Sequence, residues 1–166
     1  NHARSLRFLR RLRLPTGLLL AGLLAIGASA APLGIGDPMP RIAGQDQHEK
    51  PLAVDASTRH VLVSFDMGTG KRANAWLSDQ GAAYLPDHRA IFIANIHGMP
   101  GIGRMFALPK MRRYAHRILL ADEEGLLDDI PREEKKVTVL TLADDGTIAA
   151  ISFWDPASDQ SPFTDD

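Results

Sequence analysis

The chain has 166 residues, 45% of them hydrophobic and 23% charged, with no cysteine and a formal net charge of −1. That length suits one domain with a real core. Without a thiol the chain has no disulfide, thiolate metal site, iron–sulfur cluster or c-type haem attachment, and no thiol-based redox catalysis.

The charge is unevenly spread. Residues 1–30 hold Arg4, Arg7, Arg10, Arg11 and Arg13 and no acid, which leaves 14 basic residues against 20 acidic ones in the rest. A mildly acidic body argues against nucleic-acid binding, which wants a clustered basic face. The arginines lead into the apolar run Leu18–Ile26, which ends in Ala28-Ser29-Ala30, a small-x-small cleavage pattern before Ala31. Residues 1–30 therefore read as an export signal. The alternative is a retained anchor, since the uncharged stretch 14–36 reaches the roughly 20 residues that span a bilayer, although Pro15, Gly17, Pro32, Gly34 and Gly36 weaken its ends. Export predicts a periplasmic protein; retention predicts an inner-membrane anchor with the domain facing the periplasm.

Residues 31–59 are rich in Pro, Gly and polar side chains and read as an extended N-terminal segment. Within it, 45–50 reads as a polar turn between two short strands. The run 60–65 (HVLVSF) is a buried-type strand, 70–84 a helix with Ala73, Trp76, Leu77 and Tyr84 near one face, and 90–96 (AIFIANI) a second buried strand. This is a βαβ unit with parallel strands. A second helix is predicted from Gly101 to about Tyr114, with Ile102, Met105 and Phe106 inward and Pro109 kinking it. Residues 117–121 read as a strand and 122–131 as an acidic loop or short helix. The runs 137–142 and 148–153 flank Asp145-Gly146, a strong hairpin signal. The acidic tail, 155–166, is expected to fray.

This order resembles the thioredoxin-like fold in its peroxiredoxin-like arrangement. The likeness rests on Gly36-Asp37-x-x-Pro40 with Asp46-Gln47 following, on Val61-Leu62-Val63-Ser64-Phe65 before the first helix, and on Leu142-Ala143-Asp144-Asp145-Gly146-Thr147-Ile148 at the hairpin. The resemblance implies an α/β three-layer fold with a central mixed sheet over residues 60–154, its closing C-terminal helix short or absent. Within that fold the chain looks most like the cysteine-free periplasmic YtfJ-like group, whose relatives sometimes carry an FAD/FMN-containing dehydrogenase label. Where the family places its cysteines this chain aligns Gly70 and Ala73, and no proline stands between Pro131 and Gly146 where the family has a cis-proline.

The glycine-containing run at the start of the first helix is the candidate binding loop: Asp66, Gly68, Thr69, Gly70, Lys71 and Arg72, with His97 at the end of the next core strand, where α/β folds place ligands. Backbone N–H groups there, beside Lys71 and Arg72, suit an anion; the plainer reading is a glycine turn into a helix. A phosphate loop is excluded, because Phe65 and Arg72 occupy positions that need Gly and Ser or Thr. Residues 98–103 lack the Gly-x-Gly-x-x-Gly spacing of a dinucleotide site. Ser64, Asp66 and His97 make no hydrolase triad, for want of a nucleophile elbow. The six histidines show no paired spacing and read as surface residues, so no metal site is predicted.

The function this supports is a non-catalytic, accessory or binding module, with a periplasmic or membrane-associated protein as partner and the membrane itself involved only if residues 1–30 are retained. No cofactor is predicted; the alternative is an oxidoreductase or accessory redox protein carrying a flavin or another non-thiol cofactor. If the closing helix is missing, two outcomes are open for the hairpin face beside the first helix. Either apolar residues such as Val139 and Ile151 form an exposed docking patch, or the tail folds back and Trp154 and Phe163 cover them.

Overall fold

The computed structural model describes residues 31–158 and 160–163; the predicted signal or anchor at 1–30 lies outside them. Seven strands form one mixed sheet: β1 (Ala43–Asp46), β2 (Pro51–Ala53), β3 (His60–Ser64), β4 (Ala90–Asn95), β5 (Ile118–Ala121), β6 (Val137–Leu142) and β7 (Ile148–Trp154), in the order β2-β1-β5-β4-β3-β6-β7. β3, β4 and β5 are mutually parallel, and the other pairings are antiparallel. The parallel strands are the most apolar, as strands covered on both faces must be.

Alternation along these strands builds two cores. On one face Leu62, Phe92, Ile118, Val137 and Val139 pack under the helices α1 (Met67–Gln80) and α2 (Tyr84–Asp87). A further helix, α3 (Gly101–Met111), lies on the same side, because two successive right-handed crossovers that advance in one direction put their helices on one face. On the other face Val61, Val63, Ile91, Ile93, Leu119 and Leu140 are covered without a regular helix. The cover there is Leu33, Met39 and Ile42 from the N-terminal segment, together with Leu126, Leu127 and Ile130 from the turns after β5. The segment is held by backbone bonds from Gly36 N to Ile148 O (2.8 Å) and from Met39 N to Gly146 O (3.0 Å).

The β6–β7 hairpin turns at Gly146, whose φ of +80° favours glycine, and Asp145 Oδ1 accepts from Thr147 N (3.0 Å). No closing helix follows among the described residues. The tail does not fray there: it turns back, Trp154 Nε1 donates to Gln160 O (3.0 Å), and Phe163 stacks on His88 with ring centroids 4.5 Å apart. Trp154 meets Trp76 of α1 edge-on at 5.1 Å. Val139 is thereby buried, and Ile151 belongs to the opposite face. The docking patch on the hairpin is thus excluded, because the aromatic residues of the tail occupy the space a helix would have filled.

Candidate functional site

The first helix begins earlier than the sequence predicts, at Met67. Asp66 caps it: its Oδ1 accepts from Thr69 N (2.8 Å), and Gly70 N bonds to Asp66 O (2.9 Å). Burial raises the Asp66 pKa, but the bonds from Thr69 and Gly68 and the Arg72 charge together outweigh it and hold the carboxyl below the ordinary range. Residues 67–72 are therefore helix, neither a loop nor a glycine turn, and Asp66 itself takes the place at the helix start that an outside anion would fill. Arg72 folds back as well, with Nη2 donating to Thr69 Oγ1 (3.2 Å).

Gly70, one of the two positions aligned with the family's cysteines, is buried against β3. A Cβ on it would lie 3.1 Å from Ser64 Oγ, tighter than ordinary contact. Ala73, the other, is fully buried in the core. Ser64, 2% exposed, has its Oγ 3.4 Å from Ile93 O, to which it donates. His97 does not join the helix start: its backbone N–H donates to Asn95 Oδ1 (3.0 Å) and its Nδ1 lies 3.1 Å from Asp122 O.

A cleft of about 230 Å³ runs between α1, the end of β4 and α3. Met67, Gly70, Lys71 and Asn74 line it from α1, and Gly103, Phe106, Ala107, Lys110 and Met111 from α3. Each set follows the i, i+3, i+4, i+7 spacing of one helix face. Of the sequence-predicted residues the cleft brings together Asp66, Gly70 and Lys71, but not Gly68, Thr69, Arg72 or His97.

The α3 wall corrects the sequence reading. Ile102, Met105 and Phe106, predicted inward, are 67%, 63% and 65% exposed, and α3 has no fully buried residue. Periodicity names an apolar face but not its direction. Here Gly103 and Ala107 face the cleft with Phe106 at its edge, and arginines pin the helix. Arg104 donates to Ile96 O and Met99 O (both 3.1 Å) and pairs with Asp122. Its guanidinium holds the Asp122 carboxyl below the usual range. Arg112 donates to Gln47 O (2.9 Å) and Glu49 Oε1 (3.0 Å).

Behind the α1 wall lies a group that sequence reasoning misread. His116, expected on the surface, is 2% exposed. Asn74 donates to Gly70 O (2.8 Å), which turns its Oδ1 to His116 Nε2 at 2.9 Å; that nitrogen must carry the ring proton. Nδ1 is buried without a partner, and burial pushes the pKa down to about 4. Gln47 bonds His116 O (2.8 Å) and Ile118 N (2.8 Å), so one buried polar chain ties β1, the start of β5 and α1. The only sequence signal for it was three polar residues set next to apolar runs.

Sheet order, parallel core strands and the position of α1 define a thioredoxin-like fold, and solved structures agree. The chain is similar to a putative thiol:disulfide interchange protein DsbE from Chlorobium tepidum, with 14% identity and a TM-score of 0.52, covering 75% of this chain and 89% of that one. It is also similar to a peroxiredoxin-like protein from Aquifex aeolicus, with 10% identity and a TM-score of 0.51, covering 76% and 79%. No protein-family model and no curated protein matches the sequence. Among the described residues no group of three His, Asp or Glu side chains is placed to hold a metal ion, and no helix is long and apolar enough to cross a membrane.

Proposed function

We propose that this chain is a non-catalytic binding or accessory module, exported to the periplasm, that recognises its partner or ligand through the α1–α3 cleft. The observation that carries this reading is the replacement at Gly70: where the fold holds a reactive thiolate, a glycine packs on Ser64 and an apolar cleft opens beside it. A fold kept without its nucleophile retains only the binding half of the original chemistry. The resemblance to the cysteine-free YtfJ-like group, and the signal-like residues 1–30, support the periplasmic assignment. The cleft falls below the ~300–1,000 Å³ of ordinary small-molecule sites. This weighs against a flavin there.

Insulin reduction and peroxide turnover test the reading; rates no higher than a buffer blank are the expected result, and turnover overturns it. A visible spectrum of protein from the native host should lack a stoichiometric flavin band. Intact mass of the periplasmic fraction should place the mature start at or near Ala31; a full-length mass in the membrane fraction would make tethering part of the function.

A further inference from the structure

The cleft has a definite chemical character. Met67, Ile96, Met99, Phe106, Ala107 and Met111 give it an apolar lining. Three of these are methionines, whose flexible thioethers adapt to a chain of variable shape. Lys71 and Lys110 stand one on each wall, both exposed, and neither ammonium has an acceptor within the described residues. Their methylene stems can lie along the apolar surface while the charges stay in water. Asp66, the one carboxylate in the lining, is turned onto the α1 backbone. Around the cleft Arg104, Arg112 and Arg117 are already paired with Asp122, Glu49 and Asp46, which leaves Lys71 and Lys110 as the cations of the lining itself.

Size narrows the ligand further. A cavity of about 150 Å³ takes benzene, six apolar carbons. In the same proportion a cleft of about 230 Å³ takes about nine.

We propose that the cleft binds a single-chain amphiphile with an anionic head, its chain between α1 and α3 and its head between Lys71 and Lys110. Past Phe106 at the lip, the exposed residues Ile102 and Met105 continue the apolar surface. This assignment names the ligand class of the binding-module reading and rests on it. A blank titration with thiol assays also blank removes only the ligand class, whereas turnover in those assays removes the module itself.

The test is a calorimetric titration of the protein with decanoate, whose chain has nine carbons beyond the carboxyl, below its micellar concentration. Decyltrimethylammonium, with a similar chain and opposite charge, is the control. Decanoate should saturate at one per chain. The cation should bind about fivefold to tenfold more weakly, the scale of two exposed charge contacts. Lys71→Gln with Lys110→Gln should erase that difference. Ala107→Trp, which fills the cleft, should abolish decanoate binding. Phe106→Glu, at an exposed helical position that tolerates the change, should do the same in a folded protein. Equal binding of the two heads overturns the proposal, as does decanoate binding indifferent to both cleft variants. It is equally overturned if decanoate does not bind while phosphatidylglycerol vesicles retain the protein in a Phe106-dependent way, which would make this a membrane-docking face.

Discussion

Two helices cross the same face of the sheet and are held there by opposite means. α1 buries Thr69, Gly70, Ala73, Asn74 and Leu77 and is capped by its own aspartate. α3 buries no side chain fully, has no side-chain cap, and is fixed at both ends by arginine contacts to carbonyls and carboxylates. Apolar burial is non-directional and grows with area, so α1 is locked over the middle strands. Polar pins fix position without filling space, so α3 can stand off the sheet and leave a cleft. One wall of the cleft is therefore core and the other is not.

The largest contrast should come from truncating each helix. Leu77→Ala removes a fully buried side chain between α1 and the sheet and should cost about 3–5 kcal/mol in urea unfolding. A comparable loss from Ile102→Ala would mean that α3 packs as tightly as α1.

Next comes pH, which acts on α1 through His116. Its native pKa of about 4 lies below the ordinary 6.5, so the folded protein holds the ring neutral. As pH falls from 6.5 toward 4 the unfolded chain takes up the proton first, and stability declines by at most about 3 kcal/mol. Above pH 6.5 this contribution is fully present; below about 4 it is spent. Asp46 and Asp66 act lower. In Asp46 burial raises the pKa, but bonds from Lys50 N–H, Arg117 and His48 N–H outweigh it and hold it below the ordinary value. What these carboxylates contribute is present above their unfolded pKa and lost as pH falls through the native one. Urea midpoints from pH 7 to 4.5 should fall, and His116→Gln should flatten that slope. An unchanged slope in the variant would remove His116 from the account.

Asp66→Ala should cost about 1 kcal/mol, the usual worth of an N-cap. α3 offers no equivalent substitution, since Pro100 precedes it without a side-chain bond. Circular dichroism with urea titration measures this directly, and a neutral result would mean the cap bond is replaced by water.

The sequence disclosed the parts of the fold that local pattern dictates. The runs 61–63, 91–94 and 137–140 read as buried strands, and Asp145-Gly146 between two such runs reads as a hairpin turn. What it hid was decided between elements. Gly68 and Gly70 suggested a turn because glycine is a poor helix former; the packing of Gly70 on Ser64, visible only across β3, explains why glycine is kept inside the helix. His116 looked like a surface residue because nothing near it in sequence supplies a partner; Asn74, 42 positions away, does. Asp66 and Lys71 were found as site residues through the glycine pattern at the helix start, whereas Phe106, Ala107 and Lys110 belong to a helix whose orientation no periodicity states.

The smallest expected effect tests that orientation. Ile102→Ser, Met105→Ser and Phe106→Ser should each change stability by less than about 0.5 kcal/mol, because each side chain is already largely in water and surface substitutions rarely exceed this. Helix propensity adds little, since serine ranks close to isoleucine and phenylalanine. Leucine or methionine at a buried site would behave otherwise, losing about 2–5 kcal/mol on truncation to alanine. Three near-neutral results, beside the large loss at Leu77, would establish that the apolar face of α3 is maintained for something other than folding. Losses above about 1.5 kcal/mol at two of the three would place that face in the core and close the cleft.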